Sequence, residues 1–408
     1  MGRRKKGCGC ISALFTILIL GVISAALFVR FVSKTELGEK VKAVVGDPKI
    51  QTSAPEITIS EESLDGRYYY SLLDENEALG YKEILQGVQA HEPQIPVHFD
   101  DLDAVKKLVD YVMYDWPELF WCDGSGQVTS YGQMGEQYIL FEPGYQYTKE
   151  ESDTMQAEID AAVNAWLPNL NGDGTEYGRI KAVYEYIINV TDYDLSAPDN
   201  QNIYSVFVNN KSVCAGYAKA TQYLMNRLGI FCAYVTGTAY TEDGSAQAHA
   251  WNLVRCDGEY YYVDTTWGDP VFLQEENIPA DQNLINYDYL CCNDEEIGKT
   301  HVKDETVLFP ESTSMRYNYY VLNGMYYETY DRDAFVNAMS ASIDSRQPFT
   351  AFKFSTSSLY TQAHDVILGT LVKEAARYLC DVYGLEEVQY SYQEDPTMLK
   401  IVIYWNYE

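Results

Sequence analysis

The chain has 408 residues, of which 47% are hydrophobic, and its formal net charge at pH 7 is −31. This length and composition predict a folded protein with room for two domains, and they exclude an intrinsically disordered chain. The acidic charge argues against a nucleic-acid partner, because binding phosphates requires a clustered positive surface. The nine cysteines contain no CxxC pair. Neither a disulfide framework nor a zinc site is therefore indicated.

The first residues predict a membrane anchor. Four basic residues at positions 3–6 precede an uncharged run from Ile11 to Val29, which is long enough to cross a bilayer core as a helix. Basic residues before such a helix stay in the cytoplasm, so the rest of the chain is expected to face outward. A cleaved signal peptide is the alternative. The predicted segments are a cytoplasmic tail (1–10), a transmembrane signal-anchor helix (11–32) and a polar stalk (33–63).

A folded region is predicted at 64–308. Within it, apolar residues at helical spacing predict a helix at 175–190. Another helix is expected to begin at Thr148, where Glu151 is placed to complete a capping box. The connector at 169–174 imitates the front of a calcium loop but lacks the glutamate that closes one, so no metal and no cofactor are predicted.

A second folded region is predicted at 309–408. Its pattern of short apolar runs indicates a small α+β domain of unknown role. Asn323-Gly324 lies between two strand-like runs and predicts a hairpin there. No group of histidine, cysteine and carboxylate residues stands out in this region.

Cys214 differs from the other cysteines because it opens an amphipathic helix that is predicted to run to Leu228. Free N–H groups and the positive end of the helix dipole stabilise a thiolate at this position. The same N–H groups can bind an oxyanion on an attacked carbonyl. For this fragment taken alone, a buried structural cysteine is the alternative.

Asp257-Gly258 predicts a tight hairpin between two strand-like runs. With a two-residue turn, Asp264 lies opposite Trp251, and His249 is its diagonal neighbour on the same face of the pair. Diagonal side chains on one face are within reach of a hydrogen bond, and a register slip by one residue would separate them. The local sequence thus predicts an aspartate–histidine pair.

Together these residues are candidates for a catalytic triad. Asp264 would orient the imidazole, and His249 would take the proton of Cys214 and later return it to the leaving amine. What the local pattern does not supply is the packing of the Cys214 helix against the hairpin.

Three fragments, Val213–Ala218, His249–Asn252 and Val263–Pro270, resemble the core of the transglutaminase-like superfamily in the chain order cysteine, histidine, aspartate. The resemblance is clear from about 177 to 269, and 115–121 and 201–205 resemble bacterial exported members. It implies an α+β, papain/transglutaminase-like core in which the nucleophile helix packs on an antiparallel sheet. It also implies a covalent thioester on the cysteine.

The resemblance assigns further candidates around the triad. A side chain just upstream of the nucleophile, Tyr204, is a candidate to assist the oxyanion. Tyr217, Trp251 and Trp267 are candidates for the substrate pocket.

Members of the superfamily do not share one reaction, so three functions stay open. The first is hydrolysis of peptide or amide bonds in an extracellular or cell-wall peptide or protein. The second is cross-linking of a glutamine to a lysine, in which an amine resolves the thioester. The third is a non-catalytic surface-binding or adhesion module.

Overall fold

The structure is a computed structural model that describes residues 56–99, 101–133, 136–241, 244–269 and 285–407. The predicted tail, transmembrane helix and most of the stalk lie outside these ranges. No helix within the described ranges is both long and apolar enough to span a bilayer. Residues 55–408 form one compact unit, and the predicted boundary after residue 308 falls inside it.

The part of the chain before the nucleophile is mainly helical. Its helices are α1 (Glu61–Leu64), α2 (Glu75–Gln89), α3 (Leu102–Asp115), α4 (Lys149–Trp166), α5 (Glu176–Val190) and α6 (Ile203–Phe207). Its strands are β1 (Ile95–Val97), β2 (Cys122–Gln133), β3 (Glu136–Tyr145), β4 (Asp192–Tyr193) and β5 (Lys211–Ser212).

The nucleophile helix and the strands that follow it form the centre of the fold. These elements are α7 (Cys214–Arg227), β6 (Cys232–Tyr240), β7 (Ala246–Cys256), β8 (Glu259–Val263), β9 (Leu290–Cys292), α8 (Asp294–Ile297) and β10 (His301–Lys303). The C-terminal elements are α9 (Tyr319–Leu322), β11 (Tyr326–Tyr327), α10 (Arg332–Asp344), β12 (Phe349–Phe354), α11 (Ser357–Val366), α12 (Val372–Tyr383), β13 (Tyr390–Asp395) and β14 (Lys400–Trp405).

Local signals explain where the predicted helices begin. The Thr148 side chain accepts the N–H of Glu151, whose carboxylate in turn accepts the N–H of Thr148, so the predicted capping box is confirmed. Thr175 caps α5 by accepting the N–H of Gly178, at the predicted start of that helix.

The central sheet is antiparallel, with strand order β10-β6-β7-β8-β9. Asp257 (φ 48°) and Gly258 (φ 87°) both have positive φ, as a two-residue hairpin turn of this kind requires. Cys256 pairs with Glu259, and the pairing continues in the same register to the end of β8. The predicted hairpin register is therefore confirmed.

This sheet separates two hydrophobic cores, because alternate strand residues face opposite sides. Leu253 and Tyr262 pack into one core with α2 and α3. Val254 and Val263 pack into the other core with α5 and α7. Asn252 attaches α7 to the sheet by donating to the carbonyl of Ala218 at 3.0 Å. The nucleophile helix thus packs on an antiparallel sheet, and the predicted α+β class is confirmed.

The C-terminal region has its own sheet, with order β11-β12-β14-β13, and its own core. The predicted hairpin at Asn323-Gly324 is wrong. Instead, Asn318 caps the short helix α9 by accepting the N–H groups of Tyr320 and Val321, and β11 then pairs in parallel with β12. Helix capping and burial of Tyr320 outweigh the local turn signal here.

A buried ion cluster joins this C-terminal sheet to the region just after β8. Lys353 on β12 lies 2.8 Å from Asp288 and 2.8 Å from Glu296, and Lys400 on β14 pairs with the second oxygen of Asp288. The side chains of Lys353 and Asp288 are completely buried. We call these four residues the lysine cluster.

Candidate active site

The nucleophile candidate is the first residue of α7. Cys214 is half-buried, as is Cys380, whereas Cys122, Cys232 and Cys256 are buried. No described side chain caps this helix, since the N-cap residue is Val213. The N–H groups of the first turn therefore remain available as donors for an oxyanion beside the sulfur.

A side chain at position 216, two residues after Cys214, would clash with its neighbours. A Cβ at this position would lie 2.0 Å from Ser212 Oγ and 2.9 Å from the carbonyl oxygen of Asn200. The connector before α7 therefore packs directly against the first helical turn. Ser212 Oγ also donates to the Asn200 carbonyl at 2.9 Å, which fixes the approach of the chain to the nucleophile.

The hairpin brings the other two triad residues together. His249 Nε2 lies 2.7 Å from Asp264 Oδ2, and both side chains are almost completely buried. Gly237 stands opposite His249 on β6, where a Cβ would lie 2.8 Å from the Trp251 ring. The ring of His249 stacks at 5.9 Å on that of Trp251 and makes an edge contact with Trp267 at 6.1 Å. These contacts fix the plane of the imidazole.

The oxygens of Asp264 are both fully used. Oδ1 accepts the backbone N–H groups of Thr266 (2.8 Å) and Trp267 (3.1 Å). Oδ2 contacts His249 and a second histidine, His301. Burial raises the pKa of this carboxyl, but the charge of His249 and the hydrogen bonds of both histidines outweigh burial, and the pKa lies well below its ordinary value. The side chain therefore stays an anion.

His249 is held in its protonated form more strongly than a free histidine. Burial by itself lowers its pKa, but the charge and hydrogen bond of Asp264 and a hydrogen bond with the thiol of Cys214 raise it to about 9. Because Nε2 faces the aspartate, Nδ1 is the nitrogen that faces the sulfur. The structure thus brings the three predicted residues into one hydrogen-bonded series.

His301 belongs to the site and was missed from the sequence. It lies on β10 at the edge of the central sheet, with Nε2 3.0 Å from Asp264 Oδ2 and Nδ1 2.8 Å from Thr300 Oγ1. Burial is the main cause that lowers its pKa, which favours the neutral ring. The one available signal was that the chain has only five histidines. Nothing local placed this one beside the hairpin.

The predicted pocket residues divide into two groups. Trp251 and Trp267 pack against both histidines and form the walls of the buried end of the site. Tyr217 lies on the buried side of α7, where its hydroxyl donates to Asp269 Oδ2 at 2.8 Å. Tyr204 donates to Glu158 on α4 at 2.6 Å, so its hydroxyl is directed to that helix rather than to the thiol.

Three of these residues could in principle hold a metal ion. Ligand atoms of His249, Asp264 and His301 lie within 4.8 Å of one another. The same atoms already form the hydrogen bonds described above, and a cation would have to displace both. Hydrogen bonds from the two imidazole rings of His249 and His301 to Asp264 are sufficient to explain why these atoms lie close together.

The comparisons with known proteins point to the same class of site. Residues 164–265, about a quarter of the chain, match the transglutaminase-like superfamily, and this segment contains all three triad residues. The predicted resemblance is therefore confirmed: this segment is similar to the transglutaminase-like superfamily.

Individual relatives match only in part. Kyphoscoliosis peptidase of Mus musculus is 24% identical over 135 residues, covering 30% of this chain and 20% of the relative. The Homo sapiens protein of the same name is 27% identical over 127 residues, covering 28% and 19%. The chain thus spans about a fifth of the length of these relatives. A solved TGase structure covers 48% of this chain and 54% of its own, at 15% identity and a TM-score of 0.24.

Proposed function

We propose that this chain is a thiol enzyme that hydrolyses peptide or amide bonds through a thioester on Cys214. The observation that carries the proposal is the hydrogen-bonded series from Asp264 through His249 to a half-buried thiol at an uncapped helix N-terminus. A structural cysteine needs neither an oriented histidine nor free N–H groups. A nucleophile needs both.

The first half of the reaction forms the thioester. The sulfur of Cys214 attacks the carbonyl carbon of the substrate, and its proton resides on Nδ1 of His249. The negative charge that develops on the carbonyl oxygen is met by N–H groups of the first turn of α7. The C–N bond then breaks as His249 gives its proton to the leaving nitrogen, and the anionic Asp264 stabilises the imidazolium throughout.

The second half releases the acid. His249, now neutral, takes a proton from a water molecule, and the hydroxide attacks the thioester carbon. The C–S bond breaks and the proton returns to the site. Hydrolysis is favoured because Cys214 is half-buried and the next residue, Ala215, lines an open cleft that admits water. Attack by a lysine amine would instead give a cross-link.

The proposal includes a location. Four basic residues precede the uncharged run at 11–29. This pattern supports a single membrane-spanning helix with the N-terminus in the cytoplasm. The catalytic domain then faces outward and acts on an extracellular or cell-wall peptide or protein. Protease treatment of intact cells tests this topology, since an outward-facing domain is removed while a cytoplasmic one is protected.

The chemistry is tested by alkylating the full-length chain with iodoacetamide and quantifying labelled peptides. Cys380 is an internal control, because it is also half-buried but lies on α12, far along the chain from any triad residue. We expect Cys214 to react at least about tenfold faster than Cys380 near pH 7. The difference should disappear in His249→Ala. Equal rates for the two cysteines, unchanged by that variant, would remove the basis for an enzyme.

The direction of the reaction is tested separately. We expect incubation with a peptide library to yield new carboxyl termini or released ammonia, both lost in Cys214→Ala. Incorporation of a labelled amine into a glutamine-containing protein, at a rate exceeding hydrolysis, would replace the hydrolase with a cross-linker.

A further inference from the structure

A cleft of about 380 Å³ opens beside the nucleophile helix. One wall comes from the N-terminal part of the fold and includes Trp116, Phe120 and Asp123. The opposite wall includes Ala215 and Lys219, which lie on one face of α7 because they are four residues apart. The first wall lies outside the segment 164–265 that matches the superfamily.

The cleft is lined by the residue that follows the nucleophile candidate. Ala215 directly follows Cys214, and five residues along a helix place Lys219 about 7.5 Å further along the axis. Tyr234 lines the cleft between them. Its ring centroid is 6.0 Å from Lys219 Nζ, and its hydroxyl is close enough to Cys214 to interact with it electrostatically. A substrate group in the cleft therefore lies next to the scissile bond.

Lys219 is half-buried and forms no ion pair with any described residue. No described carboxylate lies within 4.0 Å of its ammonium, although burial lowers its pKa and only the more distant Asp123 and Cys122 oppose that effect. The buried Lys353 and Lys400 show what structural lysines do in this protein, because both contact carboxylate oxygens directly. Lys219 is therefore a half-buried cation that lines the cleft and has no carboxylate partner among the described residues.

The acidic residues of the cleft already have other partners. Asp123 accepts the N–H of Ser125 at 2.8 Å and the side-chain amide of Gln146 at 3.0 Å. Asp199 accepts the hydroxyl of Tyr147. Both carboxylates are thus satisfied locally, and neither forms an ion pair with Lys219.

We propose that Lys219 binds a carboxylate of the peptide substrate and so selects acidic peptides at the bond cleaved by Cys214. This inference rests on the proposed function, and it names the substrate class. The carboxylate belongs either to an acidic side chain next to the scissile bond or to a nearby free C-terminus. In both cases the ion pair forms within the cleft and holds the scissile carbonyl near the sulfur.

The test compares two reagents that differ in charge. Iodoacetate and iodoacetamide both react by one step, in which the sulfur of Cys214 forms a bond to the CH₂ carbon and iodide leaves. The rate of labelling by iodoacetate divided by the rate of labelling by iodoacetamide measures how strongly the charges around Cys214 favour an anionic reagent over a neutral one. In full-length protein we expect Lys219→Gln to lower this ratio by roughly tenfold, as opposite charges at this range interact by somewhat over 1 kcal/mol.

Two variants control for charge. Lys219→Arg keeps the cation and should preserve the ratio to within about twofold. Lys373→Gln, on an exposed position of α12, makes the same change in net charge elsewhere and should leave the ratio unaltered. A ratio that is unchanged in Lys219→Gln while iodoacetamide still labels Cys214 rapidly would overturn the inference and leave the thiol enzyme standing. Slow labelling of Cys214 by both reagents in the wild-type protein would instead contradict the proposed thiol enzyme.

Short peptides provide a measurement that needs no variant and separate the two sources of carboxylate. In the wild-type chain, protection of Cys214 from iodoacetamide is measured with end-blocked peptides containing glutamate or glutamine, and with peptides whose only carboxylate is the C-terminus. We expect stronger protection by at least one carboxylate peptide than by its neutral counterpart. Equal protection by charged and neutral peptides would contradict the inference even if Lys219→Gln does not fold.

Discussion

Two aspartates at the centre of this protein have the same burial but different partners. Asp264 is almost completely buried and receives two histidines, and Asp288 is completely buried and receives two lysines. Burial raises the pKa of each carboxyl, and in each case the cationic partners more than compensate: the pKa of Asp288 falls to about 2, and that of Asp264 lies lower still. Both stay anionic at neutral pH.

The partners decide what each anion can do. A lysine keeps its proton throughout the physiological range, so the lysine cluster is a fixed set of charges that joins the C-terminal sheet to the core. A histidine can give and take a proton near neutral pH. The histidines around Asp264 can therefore move a proton, and one of them faces a thiol. The same electrostatic arrangement stabilises the fold in one place and supports chemistry in the other.

The largest expected effect comes from replacing Asp264, the aspartate of the proposed triad. Asp264→Asn removes the anion that orients His249 and stabilises its charged form, so we expect turnover to fall by roughly 10⁴-fold. The measurement is turnover of the peptide identified in the library assay. The conservative exchange should leave a folded protein, as judged by circular dichroism and thermal unfolding. A folded variant that retains wild-type turnover would show that Asp264 has no role in the reaction.

The next largest effect is expected from a variant that disrupts the lysine cluster. Lys353→Met leaves Asp288 and Glu296 with less compensating charge in a buried site, and we expect the free energy of unfolding to fall by about 3–5 kcal/mol. Denaturant unfolding measures the loss. In folded molecules the labelling rate of Cys214 should stay within about twofold of wild type. A large change in the labelling rate of Cys214 without a loss of stability would contradict a purely structural role for the lysine cluster.

The two clusters should also differ in pH dependence. Because the pKa of folded His249 is raised from 6.5 to about 9, its contribution to stability is complete below pH 6.5 and is lost as pH rises to about 9, a change of about 3 kcal/mol. Because the pKa of folded Asp288 is lowered, its contribution is complete above about pH 4 and is lost as pH falls toward 2.

Unfolding free energies measured between about pH 2 and 10 test this difference. His249→Gln should flatten the alkaline part of the profile and leave the acid part in place. If the free energy of unfolding of His249→Gln fell at alkaline pH by as much as that of the wild type, a group other than His249 would be responsible for the loss.

The smallest effect concerns His301. His301→Gln can retain a donor to Asp264, whereas His301→Phe cannot, so we expect a fall in turnover of about tenfold in the phenylalanine variant and less in the glutamine variant. Because the donor acts through Asp264 on His249, the pH profile of Cys214 labelling should shift in His301→Phe and be restored in part by glutamine. Equal loss in both variants, with an unshifted profile, would indicate a packing role only.

Short stretches of sequence were enough to predict the triad. The turn at Asp257-Gly258 sets the hairpin register, and that register places His249 and Asp264 on one face. The capping box at Thr148 and the helix beginning at Cys214 are equally local. Asn323-Gly324 shows the limit of such signals, because the same kind of dipeptide there follows a short helix.

The sequence by itself was enough to predict that Cys214 opens a helix and that His249 and Asp264 lie on one face of a hairpin, because helix starts, turn chemistry and strand alternation act over a few neighbouring residues. Only the tertiary structure decided that His301 would join Asp264 across 37 residues of chain, and that Lys400 would reach Asp288 across 112. It also decided that the cleft beside Lys219 would take its other wall from residues near 120. Such contacts depend on how distant elements pack, and packing is set by the whole core rather than by any local pattern.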